Sequence, residues 1–460
     1  MRNYLLAIAL TVFAPMHLLG QLWQTVGGGL NDAAYSLFPD SATGLLYVGG
    51  DFDSAGALKA CNLASWNGAN WNKVGTEPQD TLCPFAYATV ISVAKFGGDV
   101  FAAGAFRFQG SSTYQYFIRW DGLTWDTTCR TNSGGWYEVV NGELLAMGIV
   151  NELNGTKVGR ILRWNGVDTW ESFGDSLAYT DPGWWIQSCT YYQGRHYFGG
   201  NFSTSNGISE VATWDGSSWN PLGNGILGDS WVNKLQAFQG QLFVGGEFDS
   251  SSGNASSYLT AWDGTSWYDP FPLVQYSNQV RDMQLIDGKL YILGTHRVWN
   301  GSTWQGPYEL AHYDGQDFCS FGGDDIFPRD IAGLNGHIYI TTNYTTHADP
   351  YNGIAEWIGG DSVDICVSQP VGRVEAVELD AARISAYPNP ASDGFSIAFG
   401  DGTMQSGKVS VLDIAGRVVV PERTWRTGDS PVEVSMLPAG VYLVQVRVRD
   451  RVEYIKLIKN

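Results

Sequence analysis

Short apolar segments ending in Gly, Asn or Asp recur along most of the chain and predict β-strands joined by tight turns. One block repeats: an apolar strand closed by a Gly pair, a polar loop, then Trp-Asp/Asn-Gly-x-x-Trp. It is plainest at Leu46-Tyr47-Val48-Gly49-Gly50-Asp51-Phe52 followed by Trp66-Asn67-Gly68-Ala69-Asn70-Trp71. The hairpin half returns at Trp120, at Trp164 with one extra residue, at Trp214 and at Trp262, then as Tyr313-Asp314-Gly315 and, worn down, as Trp357-Ile358-Gly359. A further copy, Trp299-Asn300-Gly301-Ser302-Thr303-Trp304, breaks the register. Tyr47, Phe101 and Phe243 each stand 19 residues before the first aromatic of their hairpins, whereas Tyr291 stands 22 before Tyr313 and only 8 before Trp299. Trp299 is therefore read as a loop insertion.

The motif starts then fall at 66, 120, 164, 214, 262, 313 and 357, spaced 44 to 54 residues apart. A period near ~50 with four strand-sized segments per unit is the signature of a β-propeller blade. Asp-Gly and Asn-Gly take positive backbone angles cheaply and reverse the chain between antiparallel strands. The flanking Trp residues are expected to pack across the hairpin and against the next blade, and the Gly pair to permit close approach near the channel. Leu22-Trp23-Gln24-Thr25-Val26-Gly27 matches Trp71–Gly75 and Trp219–Gly223, so the body starts on a strand that follows a turn. Seven blades are expected over 21–360. The pattern resembles kelch-type propellers, with Trp where those repeats favour Tyr and with longer loops, and it bears on fold more than on activity.

The two ends read differently. Arg2, the apolar run Tyr4–Phe13 and Gly20 before Gln21 read as a secretory signal peptide over 1–20. Pro15 and His17 stop the run short of a membrane span, no later segment is long and apolar enough for one, and no transmembrane anchor is expected. At the other end, Lys408–Asp413, Val432–Ser435, Val441–Arg449 and Val452–Ile458 alternate as half-buried strands do, and a small antiparallel, immunoglobulin-like sandwich is expected over 384–460. Residues 361–383 read as a linker. Tyr387-Pro388-Asn389-Pro390, Asp413-Ile414-Ala415-Gly416-Arg417, Gly440-Val441-Tyr442 and Lys456-Leu457-Ile458-Lys459 stand in order within this tail. The set resembles the type A C-terminal sorting domain of the type IX secretion system of Bacteroidetes. That resemblance implies the secretion machinery as a partner, export across the outer membrane, removal of the tail, and release of the cargo or its attachment to the cell surface.

Composition sharpens this picture. The chain has 57 Gly, 19 Trp and a formal net charge of −19 over 460 residues. Low Lys and Glu content excludes a coiled coil, and 44% hydrophobic residues exclude a disordered chain. Residues 384–460 hold 9 Lys/Arg and 8 Asp/Glu, so the acidity belongs to the body, and neither nucleic acid nor an anionic membrane is an expected partner.

Candidate chemistry is sparse. No H-E-x-x-H, G-x-S-x-G, Walker-type or C-x-x-C motif is present. His296, His312 and His347 fall in the sixth and seventh units, where a copper or zinc cluster is weighed against ordinary structural histidines. Asp51/Asp53 and Asp324/Asp325 are weighed as calcium ligands but lack the spacing of a defined loop; no cofactor is expected. The six Cys suggest disulfides in an exported protein: Cys61–Cys83 first, then Cys129–Cys189 and Cys319–Cys366. Two functions follow. The first is an exported, non-enzymatic propeller that binds glycan or protein through its loop face. The alternative is a secreted polysaccharide hydrolase or lyase with carboxylates at the channel mouth; two carboxylates, or a His and a carboxylate, converging within ~5–10 Å on one face with a deep pocket would count against the first function.

Overall fold

In the computed structural model, residues 22–459 are described except 76–82, 127–130, 149–151, 158–159, 168, 175–184, 205–206, 229, 322–325, 343–348, 361–362, 370–383, 388–390, 400–405, 413–417, 427–428 and 449–450. The expected signal peptide lies outside them. The chain divides into two compact units, the first running as far as Cys366 and the second made of Val367–Asn460 together with Pro270–Leu273 and Gln316–Phe318.

The first unit is a β-propeller whose described residues form seven successive antiparallel sheets. Blade 1 runs from the channel outward as Ala34–Asp40, Leu45–Gly50, Leu63–Trp66 and Trp71–Lys73. Blades 2 to 5 repeat this order from first strands Phe85–Phe96, Gly135–Val140, Trp185–Tyr192 and Trp231–Phe238. Blade 6 is built on Asp282–Ile286, Lys289–Trp299, Trp304–Tyr313 and Asp317–Ser320. Blade 7 combines Ile331–Leu334, His337–Thr341 and Ile354–Trp357 with Trp23–Thr25 from the start of the body, in register Trp23 to Trp357. First strands touch their neighbours all the way round, blade 7 against blade 1 included.

Three expectations are corrected. The strand ending in the Gly pair is second in its sheet, and the channel is lined by the strand before it. The Gly pair instead receives its neighbours: a Cβ on Gly49 would lie 2.4 Å from Val90 of the next blade, and one on Gly50 2.1 Å from the Ala33 carbonyl. In the hairpins only Gly takes positive φ, as at Gly68 (+89°) and Gly216 (+97°). The Asp or Asn before it stays in the ordinary region and accepts two backbone N–H bonds; Asp215 Oδ1 takes those of Ser217 at 2.9 Å and Ser218 at 2.8 Å. Finally, Ile365–Ser368, inside the expected linker, is a strand. Asp364 N–H donates to Ser320 O, and Cys366 is bonded to Cys319 on the outer strand of blade 6. The rest of that linker, 370–383, is outside the described residues.

The Trp299 copy turns between the second and third strands of blade 6, at the tip of a lengthened hairpin, not between the third and fourth. Where the hairpin carries two Trp they pair in register, with ring centroids 5.2 Å apart for Trp66–Trp71 and 5.5 Å for Trp120–Trp125. These pairs dock on the glycine where the previous blade's last strand ends. Trp125 Nε1 donates to Gly75 O at 2.8 Å, and Trp71 Nε1 to Gly27 O at 3.2 Å. The glycine of Trp-x-x-Val-Gly is thus the seat for the next blade, a role that spacing alone did not reveal.

The second unit is a sandwich. A three-stranded sheet, Ile384–Tyr387, Gly394–Phe399 and Val432–Glu433, accompanies a four-stranded one ordered Val418–Arg426, Ser406–Leu412, Gly440–Val448 and Arg451–Lys459. Phe395, Ile397, Val411, Trp425, Val444 and Leu457 fill its core. Four of these strands were expected. Val418–Arg426 escaped because Pro421 interrupts its pattern, which an edge strand tolerates.

The docking geometry separates two glycines. Gly75 has φ +77° and a Cβ there would meet Trp125 at 2.1 Å, whereas Gly68 has φ +89° with nothing within 4 Å. Gly68→Ala is expected to cost about 1 kcal/mol from backbone strain, and Gly75→Ala about 3 kcal/mol because overpacking adds to it. Urea unfolding followed by Trp fluorescence measures both; equal losses would remove the docking role.

Candidate functional site

The channel is organised by one register position of the first strands. In blades 1, 2 and 4 it holds Ser36, Ser92 and Ser188, opposite Gly49, Ala103 and Gly199. Each hydroxyl accepts the backbone N–H of the next blade: Val93 to Ser36 Oγ at 3.0 Å, Tyr137 to Ser92 Oγ at 3.0 Å and Leu235 to Ser188 Oγ at 2.9 Å. Asp330 occupies the position in blade 7, its Oδ2 accepting the Leu37 N–H of blade 1 at 2.8 Å. Blades 5 and 6 place Lys234 and Asp282 there, and blade 3 places Trp136.

These substitutions gather charge inside a cavity of about 440 Å³. Lys234 Nζ lies 2.9 Å from Glu138 Oε1 and 3.5 Å from Asp282 Oδ1, so two carboxylates bracket one ammonium. Glu138 and Lys234 keep 22% and 14% of their side-chain surface open to the channel, yet protein surrounds them. Burial pushes the Glu138 carboxyl up while Lys234 pulls it back. Burial opposes the Lys234 charge, but Glu138 and Asp282 outweigh it and hold the ammonium protonated. Asp330 is raised well above the usual carboxylate range, by burial first and the Asp282 charge second. A protonated Asp330 supplies the donor that Asp282 Oδ2 otherwise lacks.

Above this cluster the channel opens in a mouth of about 400 Å³, lined by Tyr35, Ile91, Trp136, Gln187, Asn233, Gln279, Arg281 and Arg329. Five of the first strands place a residue there, and Gln279, Arg281 and Arg329 come from segments just before strands. Three amides form a relay: Gln187 Nε2 donates to Asn233 Oδ1 at 2.7 Å, and Asn233 Nδ2 to Gln279 Oε1 at 2.9 Å. Tyr35 donates its hydroxyl to Asp51 Oδ2 at 2.6 Å, which with burial raises the phenol to about 12. The Arg329 guanidinium lies 4.7 Å from the centre of the Tyr35 ring. Arg281 donates to Pro328 O at 2.7 Å and pairs with the buried Glu309.

None of the residues singled out in the sequence contributes a charge to this cluster. Of the histidines, His296 is buried, its ring between Gly294 O at 2.8 Å and Ser320 Oγ at 2.7 Å, with its pKa lowered by burial to about 4. His312 packs on the Tyr291 and Phe321 rings, and His347 lies outside the described residues. Asp51 serves Tyr35, while Asp53 Oδ1 accepts from Asn31 at 2.7 Å; Asp324 and Asp325 are outside the described residues. Among the described residues no group of three or more His, Cys, Asp or Glu gathers for a metal. Cys61–Cys83 and Cys319–Cys366 are disulfides. Cys129–Cys189 is not: Cys189 is a buried free thiol, turned among Leu145, Met147 and Phe198, and Cys129 is outside the described residues.

In the tail, Tyr387 ends a strand, Gly440 and Tyr442 begin another, and Lys456 pairs with Leu443. Tyr442 donates its hydroxyl to Pro438 O at 2.9 Å. Pro388, Asn389, Pro390, Asp413, Gly416 and Arg417 lie outside the described residues. Residues 385–460 match the family described as secretion system C-terminal sorting domain. The tail is a type IX sorting domain. The sorting domain addresses the protein to the cell surface or the medium, and no helix among the described residues is long and apolar enough to cross a membrane.

No curated protein matches the chain by sequence. Among solved structures, YCF48 bound to D1 peptide aligns at 13% identity over 74% of this chain and 95% of that one, with a TM-score of 0.38. The Niastella koreensis GH74 enzyme aligns at 14% over 73% and 44%, with a TM-score of 0.38. The phage phi92 endosialidase aligns at 12% over 95% and 87%, with a TM-score of 0.32. Likenesses this distant say nothing of ligand or chemistry.

The charge cluster has a stability signature. Lys234→Met leaves two facing carboxylates uncompensated and is expected to cost about 3–5 kcal/mol. Asp330 binds a proton in the fold that the unfolded chain releases above its ordinary value of 3.8. Its contribution is therefore full in acid and declines as pH rises through that value toward the raised folded one. Asp330→Asn keeps a neutral acceptor for Leu37 N–H, so its stability relative to wild type should rise from pH 4 to pH 8. Denaturant midpoints across that range check both, and a flat difference for Asp330→Asn would contradict the shared proton.

Proposed function

We propose that the exported propeller is a binding module, not an enzyme, and takes a glycan or protein ligand at the channel mouth. The observation that carries this reading is the division of labour along the channel. The mouth presents aromatic, amide and guanidinium groups to solvent, whereas the carboxylates below it are engaged in joining blades. Glu138 and Asp282 share one ammonium, and the two Asp330 oxygens accept the N–H groups of Leu37 and Ile331, the latter at 2.7 Å. A glycosidase instead needs one acid and one base free to face the sugar. In this reading Met1–Gly20 starts export and the sorting domain completes it.

A second reading has its own observation. Three carboxyl groups, Glu138, Asp282 and Asp330, converge in one cavity, which is the arrangement that favours a hydrolase or lyase, and a raised Asp330 suits a general acid. Incubating the full-length protein with a panel of polysaccharides separates the two. The expected outcome is no release of reducing ends or unsaturated products, with retention on a glycan array or protein pull-down that Trp136→Ala weakens at least tenfold. Turnover abolished by Asp330→Asn or Glu138→Gln would establish the enzyme.

A further inference from the structure

Building on the binding-module reading, we infer that the channel mouth selects a sugar carrying a carboxylate, of the uronic acid class, with Arg329 as the residue that reads the charge. The body of this protein is strongly acidic, yet no mouth-lining residue is Asp or Glu. Two guanidiniums stand there instead. Arg281 is committed to Glu309 and the Pro328 carbonyl. Arg329 is exposed and has no ion pair with any described carboxylate; its contact is the Tyr35 ring, 4.7 Å from the guanidinium carbon. Tyr35 is itself fixed through Asp51. A guanidinium over a held ring, with no carboxylate paired to it, has N–H groups left for a ligand, and its forked donors match a carboxylate with two parallel bonds.

The remaining groups suit a sugar better than a peptide. Asn233 spends both amide hydrogens on Gln279 and Val280, but Gln279 keeps its NH₂ and Gln187 one N–H for ligand hydroxyls. Trp136 is half-buried and offers ring surface at the same level. A mouth of about 400 Å³ holds a compact ring. Peptide recognition uses an unpaired strand edge or an apolar groove. The mouth offers no continuous apolar groove: Gln187, Asn233, Gln279, Arg281 and Arg329 interrupt its aromatic surface.

The test titrates the full-length protein with oligosaccharides of galacturonate, glucuronate and mannuronate, with the same chains after carboxyl reduction, and with the free monosaccharide acids. Wild type is expected to bind at least one uronate at least tenfold more tightly than its reduced form, with a preference that weakens as salt rises. Arg329→Gln should erase the preference while leaving the unfolding midpoint unchanged, and Arg329→Lys should retain part of it. Tight binding of the monosaccharide acid marks a free sugar as the source; binding of oligomers alone marks a polymer. Equal affinity for charged and reduced sugars overturns the inference but leaves the mouth a binding site. Binding of polyglutamate as tightly as any uronate, or of no uronate at all, also overturns it, and the array and pull-down then decide the broader reading separately.

Discussion

Three residues decide whether the body exists as a ring. Trp23–Thr25 hydrogen-bond to Ile354–Trp357, joining the beginning of the propeller to its last blade. Without that strand, blade 7 would end on an unpaired edge and Trp66 and Trp71 would lose the Gly27 seat that follows it. Several further interfaces repeat the contact: Trp125 on Gly75, Trp214 on Gly174, and Trp262 and Trp267 on Gly223. The channel, its register position and its mouth all exist because seven first strands are held at one distance from a common axis by this closure.

Within that frame, the functional surface grows from a structural position. Ser36, Ser92 and Ser188 show the ordinary use of the register position, a hydroxyl that receives the next blade's N–H. Asp330 performs the same service with a carboxylate, and Lys234 and Asp282 replace the hydroxyl–amide bond by an ion contact. Charge thus entered the channel without loss of blade-to-blade linkage. The cost of burying it is met by pairing: one ammonium for two carboxylates, and one proton for the Asp282–Asp330 couple.

The sequence made the repeat easy to see because its signals are local. Two Trp five residues apart around Asp-Gly encode a hairpin whatever surrounds them. The sorting domain was legible for the same reason, through short motifs in order. The channel was not. Its strands, such as Ala34–Asp40 and Trp231–Phe238, share no motif, because what they share is a direction, toward the axis. Glu138, Asp282 and Asp330 come from three blades, and nothing in their spacing brings them together. The cysteines divide likewise. Cys61–Cys83 closes a short span, whereas Cys189 looked like a partner for Cys129 and is instead a packing residue between blades 3 and 4.

The bond between Cys319 and Cys366 gives the body a mechanical terminus. Past blade 7 the chain is covalently fastened to blade 6 before it continues. A pull applied anywhere beyond Cys366 is carried by a sulfur–sulfur bond into the outer strand of blade 6, and does not peel Ile354–Trp357 away from Trp23–Thr25. The seam that closes the propeller is thereby kept out of the load path, whatever becomes of the chain downstream.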